Sequence, residues 1–410
     1  PTVLGVASPQ EVADFPIGLD EDDRSLLQPL HRRNRRMCCY GGCGILGVAV
    51  AATCLYVALT PRDQKPKSPQ AEGAVQSQFA PLPSETDVLT RLAWGSCAKQ
   101  DFPQPHWDTL ADFSPHVLIL AGDNVYGDCS SAECTELSAA YSALERKPSF
   151  MGARSRLPMI SVWDDHDSGK NDGDATNPYK AIAKKLFLEF FKIPMHDPRH
   201  RHDGLYMDYV WGPAGKRIQV LLLDTRWFRS SFIDTDEPYA RYKERYIPDH
   251  NTSKTMLGHE QWLWLREKLF EPADLRILVS SIQVVANGHG WECWGMLPQE
   301  RARLYDLIFE AEKAAGGKVV LLSGDRHVGG MYMSHRGVLE ATASSWTHTT
   351  PLGAFDDCDT SSECDEPGPD RLGALVRDNH FGSIEVNWSA RTAMVALRRV
   401  SSAQGWESNA

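Results

Sequence analysis

Short buried strands separated by helical segments are the feature of this sequence that most restricts its fold. Between residues 88 and 400, runs of branched apolar residues such as HVLILAGD, LPMISVWDD, RIQVLLLDTR and KVVLLSGD alternate with segments of helical periodicity. Helices are predicted in NPYKAIAKKLFLEFFK, GHEQWLWLREKLF and PQERARLYDLIFEAEKAAGG. Asn177 is the expected cap of the first of these helices, and Gly316 is expected to end the last. The alternation predicts an α/β domain whose sheets are covered by helices.

Polar residues follow directly after four of the apolar runs. The motifs are GSC (95–97), GDNVYGD (122–128), WDDHD (163–167) and GDRH (324–327). Because ligands gather beyond the carboxyl ends of strands in α/β sheets, side chains from separate strand ends can converge on one site. A single GD dipeptide after a strand is usually only a turn. Four such motifs, each after its own strand, predict one shared polar centre.

The residue types in these motifs suit a two-metal hydrolytic centre. One carboxylate can bridge two cations while other groups hold each cation separately, and Asp123 is the candidate bridge. Tyr126 and Cys97 would give one metal a phenolate and a thiolate, which suit a redox-capable metal such as iron better than magnesium. Asp325 and His327 are two residues apart, so both side chains can lie on the same side of an extended segment.

The order of the motifs resembles that of a known enzyme family. GSC, GDNVY, WDDHD, LDTRWFR, SSIQVV, WECWGMLPQERARL and GDRH follow one another as in PhoD-like phosphatases (alkaline phosphatase D type) of the calcineurin-like metallophosphoesterase superfamily. The resemblance extends from about residue 92 to about residue 347. It implies a four-layer α-β-β-α sandwich, a metal centre of the iron and calcium type, and hydrolysis of phosphate monoesters or diesters.

The resemblance also implies metal-binding roles for residues in the motifs. The expected ligands are Cys97, Asp123, Tyr126, Asp165, Asp325 and His327. Cys97, Tyr126 and His327 would hold the iron-type metal. Asp165 and Asp325 would hold the second metal, and Asp123 would lie between the two. It stays open whether Asp164, Asp165 or Asn171 completes the ligands of the second metal.

Two further residues are expected to act on the substrate. By resemblance, His166 would steady the transition state or protonate the leaving group. Arg226 in LDTRWFR is a candidate phosphate-binding residue, because a guanidinium pairs bidentately with phosphate oxygens. A salt bridge to a neighbouring carboxylate is the alternative for Arg226.

Arg326 in the fourth motif departs from the family, in which a small apolar residue is more usual. The expected reaction is attack of metal-activated water on phosphorus.

Two alternative functions use the same fold. A phosphodiesterase acting on nucleotides, lipids or polymers would use the same centre, since pocket shape decides the substrate. A membrane glycoprotein that keeps the fold as a binding platform is the non-catalytic alternative, although none of the expected ligand types is missing. The formal net charge of -11 argues against nucleic-acid binding beyond a substrate, because affinity for the phosphate backbone depends on clustered Lys and Arg. The expected partner is therefore a phosphorylated small molecule or a phosphodiester substrate.

The N-terminal region predicts a membrane anchor. Residues 38–59 contain no charge and are long enough to cross a bilayer as a helix. The preceding HRRNRR predicts that residues 1–37 are cytoplasmic and that residues 88–400 are luminal or extracellular, as in a single-pass type II protein. A cleaved signal peptide and a buried core helix are the alternatives. We expect residues 1–37 to be a disordered tail and the Pro-rich residues 60–87 to be a stem.

Shorter motifs depend on this topology. DDRSLL (Asp22–Leu27) resembles an acidic dileucine signal that a sorting adaptor reads. Asn251 and Asn387 begin N-glycosylation motifs, and Asn251 is preferred because its surroundings are typical of a surface loop.

The cysteines predict two small-loop disulfides if the domain folds in an oxidising compartment. Cys129 is expected to pair with Cys134, and Cys358 with Cys364. Cys97 is left for the metal centre, with a disulfide to Cys293 as its competing use.

Overall fold

Two β-sheets form the frame of the protein. The computed structural model describes residues 12–16, 79–235, 245–286, 289–350 and 370–400. Within these residues the strands are β1 (Val12–Pro16), β2 (Arg91–Gly95), β3 (Val117–Ala121), β4 (Met159–Val162), β5 (Met207–Trp211), β6 (Ile218–Leu222), β7 (Ile233–Asp234), β8 (Tyr246–Ile247), β9 (Leu275–Val279), β10 (Lys318–Ser323), β11 (Gly329–Met333), β12 (Leu339–Ala343), β13 (Arg371–Val376), β14 (His380–Asn387) and β15 (Thr392–Arg399).

Helices lie between many of these strands. They are α1 (His106–Phe113), α2 (Thr135–Glu145), α3 (Pro148–Arg154), α4 (Asp165–Ser168), α5 (Lys180–Phe190), α6 (Gly258–Leu269) and α7 (Pro298–Ala315), with short 3-10 helices at Pro198–His200 and Trp294–Met296. The α/β class predicted from the sequence is confirmed.

Both sheets combine parallel and antiparallel strands. The first has the strand order β1-β15-β14-β2-β3-β4, with β2, β3 and β4 parallel. The second has the order β13-β11-β12-β10-β9-β6-β5, with β6, β9, β10 and β12 parallel. Strands β3, β6 and β9 are buried at every position. These strands are apolar throughout because both of their faces are covered, as is usual for parallel strands.

The hydrophobic core lies on both faces of the second sheet. Val220 and Ile277 join the first sheet and α1, α2, α3 and α5 in one buried cluster. The next residues along the same strands, Leu221 and Leu278, join α6 and α7 in a second cluster. Successive side chains of a strand point to opposite faces, so one strand contributes to both clusters. These contacts fit the four-layer order that the resemblance implies.

The predicted helices are present, with one shifted start. Helix α7 ends at Ala315, just before Gly316, as expected. Helix α5 begins at Lys180, so the expected cap at Asn177 was wrong. The side chain of Asn177 accepts a hydrogen bond from the Tyr179 N–H at 2.9 Å and donates one to the Ser168 carbonyl at 2.9 Å. These contacts form a turn before the helix instead of a cap.

Strand β1 corrects the expectation for residues 1–37. We expected no regular structure there, but Val12–Pro16 pair antiparallel with β15, from Val12 opposite Ala396 to Pro16 opposite Thr392. Without β1, the long strand β15 would be an edge with unpaired N–H and C=O groups, which another strand readily covers.

Several sequence predictions lie outside the described residues. These are the span at 38–59, most of the stem, the DDRSLL motif and the Cys358 and Cys364 pair. No helix in the described part of the chain is both long and apolar enough to cross a membrane. The predicted disulfide between Cys129 and Cys134 is present, and Cys97 and Cys293 are separate buried thiols.

Candidate metal centre

The carboxyl ends of parallel strands from both sheets meet at the candidate site. Cys97 follows β2, Asp123 follows β3, Asp165 follows β4, and Asp325 and His327 follow β10. The structure thus brings together the motifs that the sequence placed after separate strands. Around them lies a cavity of about 190 Å³, lined in part by Asp123, Asp165, Asp325 and His327.

Backbone strain is concentrated at the predicted ligands. Cys97, Asp123, Asp325 and His327 have φ values of 64°, 48°, 72° and 54°, in the left-handed region that non-glycine residues seldom adopt. Such conformations cost about 1–3 kcal/mol each and cluster at functional sites. The strained backbone at these four positions therefore lowers the stability of the fold and brings the four side chains together.

Gly122 allows the second and third motifs to approach closely. Its φ of 111° favours glycine, and a Cβ atom at this position would lie 2.6 Å from the Cβ of Asp164. Asp167 then ties the two motifs together, since its Oδ2 accepts hydrogen bonds from the N–H and the Nδ2 of Asn124 at 3.1 and 2.5 Å. Burial raises the pKa of Asp167 to about 7.

One group of donors contains sulfur and nitrogen. Ligand atoms of Cys97, Asp123 and His327 all lie within 4.8 Å of one another. The Cys97 Sγ is 3.7 Å from the Asp123 Oδ2, and the Tyr126 Oη is 3.0 Å from the His327 Nε2. Burial raises the pKa of the Cys97 thiol and of the Tyr126 hydroxyl well above their usual ranges. A nearby cation would offset the cost of ionising this buried thiol and this buried hydroxyl. The donor set therefore fits a metal that takes thiolate and phenolate ligands.

A second group of donors contains only oxygen and imidazole. Ligand atoms of Asp165, Asp123 and His166 all lie within 4.8 Å of one another. The same holds for carboxylate oxygens of Asp165, Asp164 and Asp325. The Asp165 Oδ1 is buried and accepts no hydrogen bond from the described residues. Burial and neighbouring carboxylates raise the pKa of both Asp123 and Asp325 well above the usual range. Such close carboxylates need cations to remain ionised together, so the residues also fit a second metal.

Asp123 belongs to both donor groups. It is grouped with Cys97 and His327 on one side and with Asp165 and His166 on the other. A carboxylate that bridges two metals has to lie between their two donor groups, as Asp123 does. The individual ligand roles remain predictions.

Asp164, Asp165 and Asn171 differ in their positions at the cavity. Asp165 and Asn171 line the cavity, whereas Asp164 does not. The Asp164 Oδ1 accepts hydrogen bonds from the Arg226 Nε at 2.5 Å and from the Ser281 Oγ at 2.6 Å. The Asp164 Oδ2 accepts no hydrogen bond from the described residues, and Asp164 is grouped with Asp165 and Asp325, so the choice among the three stays open.

Arg226 does not line the cavity. Its side chain is 1% exposed, and its Nη1 donates to the Glu292 Oε2 at 2.6 Å in addition to the contact with Asp164. The Nε and Nη1 are thus paired with carboxylates, and the Nη2 lies 3.9 Å from the Asp165 Oδ1. These ion pairs support the salt-bridge alternative for Arg226, and phosphate binding by Arg226 stays a prediction.

His166 lies on the cavity wall, as a group acting on the substrate must. Its Nδ1 is 2.9 Å from the Asp128 Oδ2, and its backbone N–H donates to the Asp123 Oδ1 at 3.3 Å. Burial alone would lower the pKa of His166, but Asp165, Asp123 and Asp128 raise it to about 11. Asp128 orients the imidazole through the Nδ1 contact.

Sequence reasoning missed several residues of the site. The cavity wall also contains Arg245, Tyr246, Trp291, Glu292 and Arg326, and His348 lies beside His327 and Tyr126. Arg326 in the fourth motif had a sequence signal, and Trp291 and Glu292 open the WECWGMLPQERARL motif, although no role was assigned to them. His348 follows a strand without any motif, and Arg245 is in a segment that carries no ligand-type pattern.

Comparisons with known proteins agree with this geometry. A profile of the PhoD-like phosphatase family matches residues 92–346. A solved structure of PhoD matches with 16% identity and a TM-score of 0.58, and the match covers 75% of this chain and 66% of that chain. This likeness shows the fold. A search among curated proteins finds no match.

Two further solved structures match more distantly. GAP50, the anchor in the inner membrane complex of Plasmodium, is 12% identical with a TM-score of 0.43, covering 73% of this chain and 82% of its own. A dimetal phosphatase from Danio rerio is 11% identical with a TM-score of 0.43, covering 73% of this chain and 93% of its own. The family match alone spans more than half of the chain and includes every predicted metal ligand. The chain therefore belongs to the PhoD-like phosphatase family.

Proposed function

We propose that this chain is a metal-dependent phosphohydrolase that cleaves phosphate esters at a centre of two metal ions. The observation that carries the proposal is the position of Asp123, which is shared by two donor groups at the edge of one cavity. Family membership supports the same reaction class.

The two donor groups suit different metals. Cys97, Tyr126 and His327 would hold a transition metal such as iron, because thiolate and imidazole are softer donors than oxygen. Asp165 and Asp325 offer the carboxylate oxygens that calcium prefers. When bound, the metals supply positive charge for the phosphoryl oxygens and lower the pKa of a water molecule.

His166 is the proposed proton donor to the leaving group. Asp128 fixes the ring orientation through the Nδ1 contact, which leaves the Nε2 free of that hydrogen bond. A general acid placed in this way contributes about 10²–10⁴-fold to the rate.

Arg245 and Arg326 replace Arg226 as the proposed phosphate-binding residues. Both line the cavity, and their guanidinium carbons lie 5.9 and 5.6 Å from the ring centroid of Trp291. Guanidinium groups pair with phosphoryl oxygens, and Trp291 offers an apolar surface to the remainder of the substrate.

A phosphate monoester is the preferred substrate in this proposal, with a diester as the second candidate. The cavity of about 190 Å³ is small beside ligand pockets of about 300–1,000 Å³, which favours a compact phosphate ester. Two arginines and two metals match the double negative charge of a monoester better than the single charge of a diester.

Paired substrates test the proposal. The full chain, loaded with Fe and Ca, is assayed with p-nitrophenyl phosphate and bis(p-nitrophenyl) phosphate. We expect the monoester to be cleaved faster, and His166→Ala to lower turnover about 10²–10⁴-fold while its metal content stays unchanged. Asp306→Ala, at a 61% exposed side chain on α7, is the control and should behave as wild type. A metal-loaded wild type that cleaved neither ester would contradict the proposal.

A further inference from the structure

His348 contacts two of the predicted ligands. It lies in the segment after β12 (Leu339–Ala343), two residues beyond the end of the family match. Its Nε2 is 3.1 Å from the His327 Nε2 and 3.3 Å from the Tyr126 Oη. Because those two atoms are 3.0 Å apart, the three atoms form a nearly equilateral triangle.

The hydrogen bonds of Thr347 fix the tautomer of His348. The Thr347 hydroxyl donates its single proton to the Cys97 carbonyl oxygen at 3.0 Å and accepts a hydrogen bond from the Lys99 N–H at 2.9 Å. The same hydroxyl oxygen is 2.9 Å from the His348 Nδ1. Since the hydroxyl proton is already used, the Nδ1 must be the donor in this contact. The Nε2 of a neutral His348 then presents a lone pair.

Packing holds the ring in this orientation. The ring of Phe102 meets His348 edge to face, with the ring centroids 5.7 Å apart. Thr347, in turn, connects the His348 ring to the backbone of the GSC motif, which carries Cys97. The imidazole is thus positioned from two sides toward Tyr126 and His327.

The triangle has the dimensions of a set of metal ligands. If His327 and an ionised Tyr126 bind a metal, three electron-pair donors converge, and they repel one another unless a cation lies among them. Nitrogen and oxygen ligands lie about 2.0–2.2 Å from a metal such as zinc. Two such ligands on one ion are then roughly 3 Å apart, which is the separation seen here.

We propose that His348 is a further ligand of the metal on the Cys97 side. This inference rests on the proposed metal centre and adds to it a nitrogen donor that lies outside the matched family region. With His327 it gives this site two imidazoles beside the thiolate and the phenolate. That donor set selects a transition metal over calcium or magnesium.

Titration with Co²⁺ alone tests the assignment. Chelator-treated full chain is titrated with Co²⁺, whose visible absorption reports the nitrogen and sulfur ligands, against a competing chelator. We expect His348→Leu to weaken Co²⁺ binding at the Cys97 side by at least about tenfold and to change the absorption bands. Thr347→Val should weaken binding by a smaller factor, because the Nδ1 proton loses its acceptor.

The control is His335→Leu, an exposed histidine in the turn between β11 and β12, which should leave affinity and spectrum as in wild type. Circular dichroism confirms that each variant is folded, and Thr347→Val carries the test if His348→Leu is not. A wild-type chain that bound no Co²⁺ would overturn the metal centre and this inference together. If the wild type binds Co²⁺ and a folded His348→Leu shows the same affinity and spectrum, this inference alone is overturned. If His348→Leu does not fold, an unchanged affinity and spectrum in Thr347→Val overturns it in the same way.

Discussion

Replacing Arg226 separates its two candidate roles. Arg226 contacts Asp164 at 2.5 Å and Glu292 at 2.6 Å, and all three side chains are at most 4% exposed. Arg226→Leu would leave both carboxylates buried without this partner. Breaking a buried ion pair by removing one partner costs about 3–5 kcal/mol. Arg229 still contacts Glu292 at 2.5 Å, so the expected loss is that of one broken pair and not of two.

Urea unfolding with saturating metal measures this loss. We expect the free energy of unfolding of Arg226→Leu to fall by about 3–5 kcal/mol, and the melting temperature by roughly 6–10 °C. Arg266→Leu is the matched control, because Arg266 is 60% exposed and contacts Glu310 at 3.3 Å on the surface. A surface pair of this kind contributes about 0–1 kcal/mol.

The competing role predicts a different result. If Arg226 bound phosphate, its loss would weaken competitive inhibition by inorganic phosphate and leave stability nearly unchanged. We expect instead that Arg326→Leu, on the cavity wall, weakens phosphate inhibition. An Arg226→Leu variant with wild-type stability and a large loss of phosphate affinity would refute the buried ion pair.

Three further predictions follow from single residues. Cys97→Ser should keep its circular dichroism spectrum but lose iron in elemental analysis, since serine is not a thiolate-like donor at neutral pH. Burial lowers the pKa of His106 from 6.5 to about 3. The unfolded chain therefore takes up a proton that the folded chain does not bind, so His106 should lower stability by about 1.4 kcal/mol per pH unit below pH 6.5. His106→Phe should reduce the slope of stability against pH by that amount in urea titrations at about pH 4–6. The type II topology predicts a glycosidase-sensitive mass shift in eukaryotic cells that Asn251→Gln removes, and digestion of the domain in sealed microsomes without detergent would contradict it.

The strand-end motifs were predictable because their geometry is local. A buried apolar run followed at once by Asp or Cys fixes where the side chain leaves the sheet, and parallel strands place those ends together. Cys97, Asp123, Asp165 and Asp325 therefore appear where the sequence placed them. The Cys129 and Cys134 disulfide was also predictable locally, because the two cysteines are only five positions apart.

The remaining features depend on contacts between distant residues. Arg226 pairs with Glu292, 66 positions away, and no local pattern distinguishes that pairing from phosphate binding. The strand at Val12–Pro16 pairs with a strand near the end of the chain, so its own composition could not reveal it. Tertiary contacts also displaced the expected cap at Asn177, whose side chain bonds the Ser168 carbonyl instead.

Metal analysis of Asp123→Ala tests the central claim most directly. Elemental analysis of the full chain should find two metal ions per wild-type molecule, because Asp123 joins both donor groups. Removing the shared carboxylate should lower the content of both metals and abolish hydrolysis of p-nitrophenyl phosphate, while the folded state persists. An Asp123→Ala chain that kept two metal ions and the wild-type rate would contradict the two-metal account.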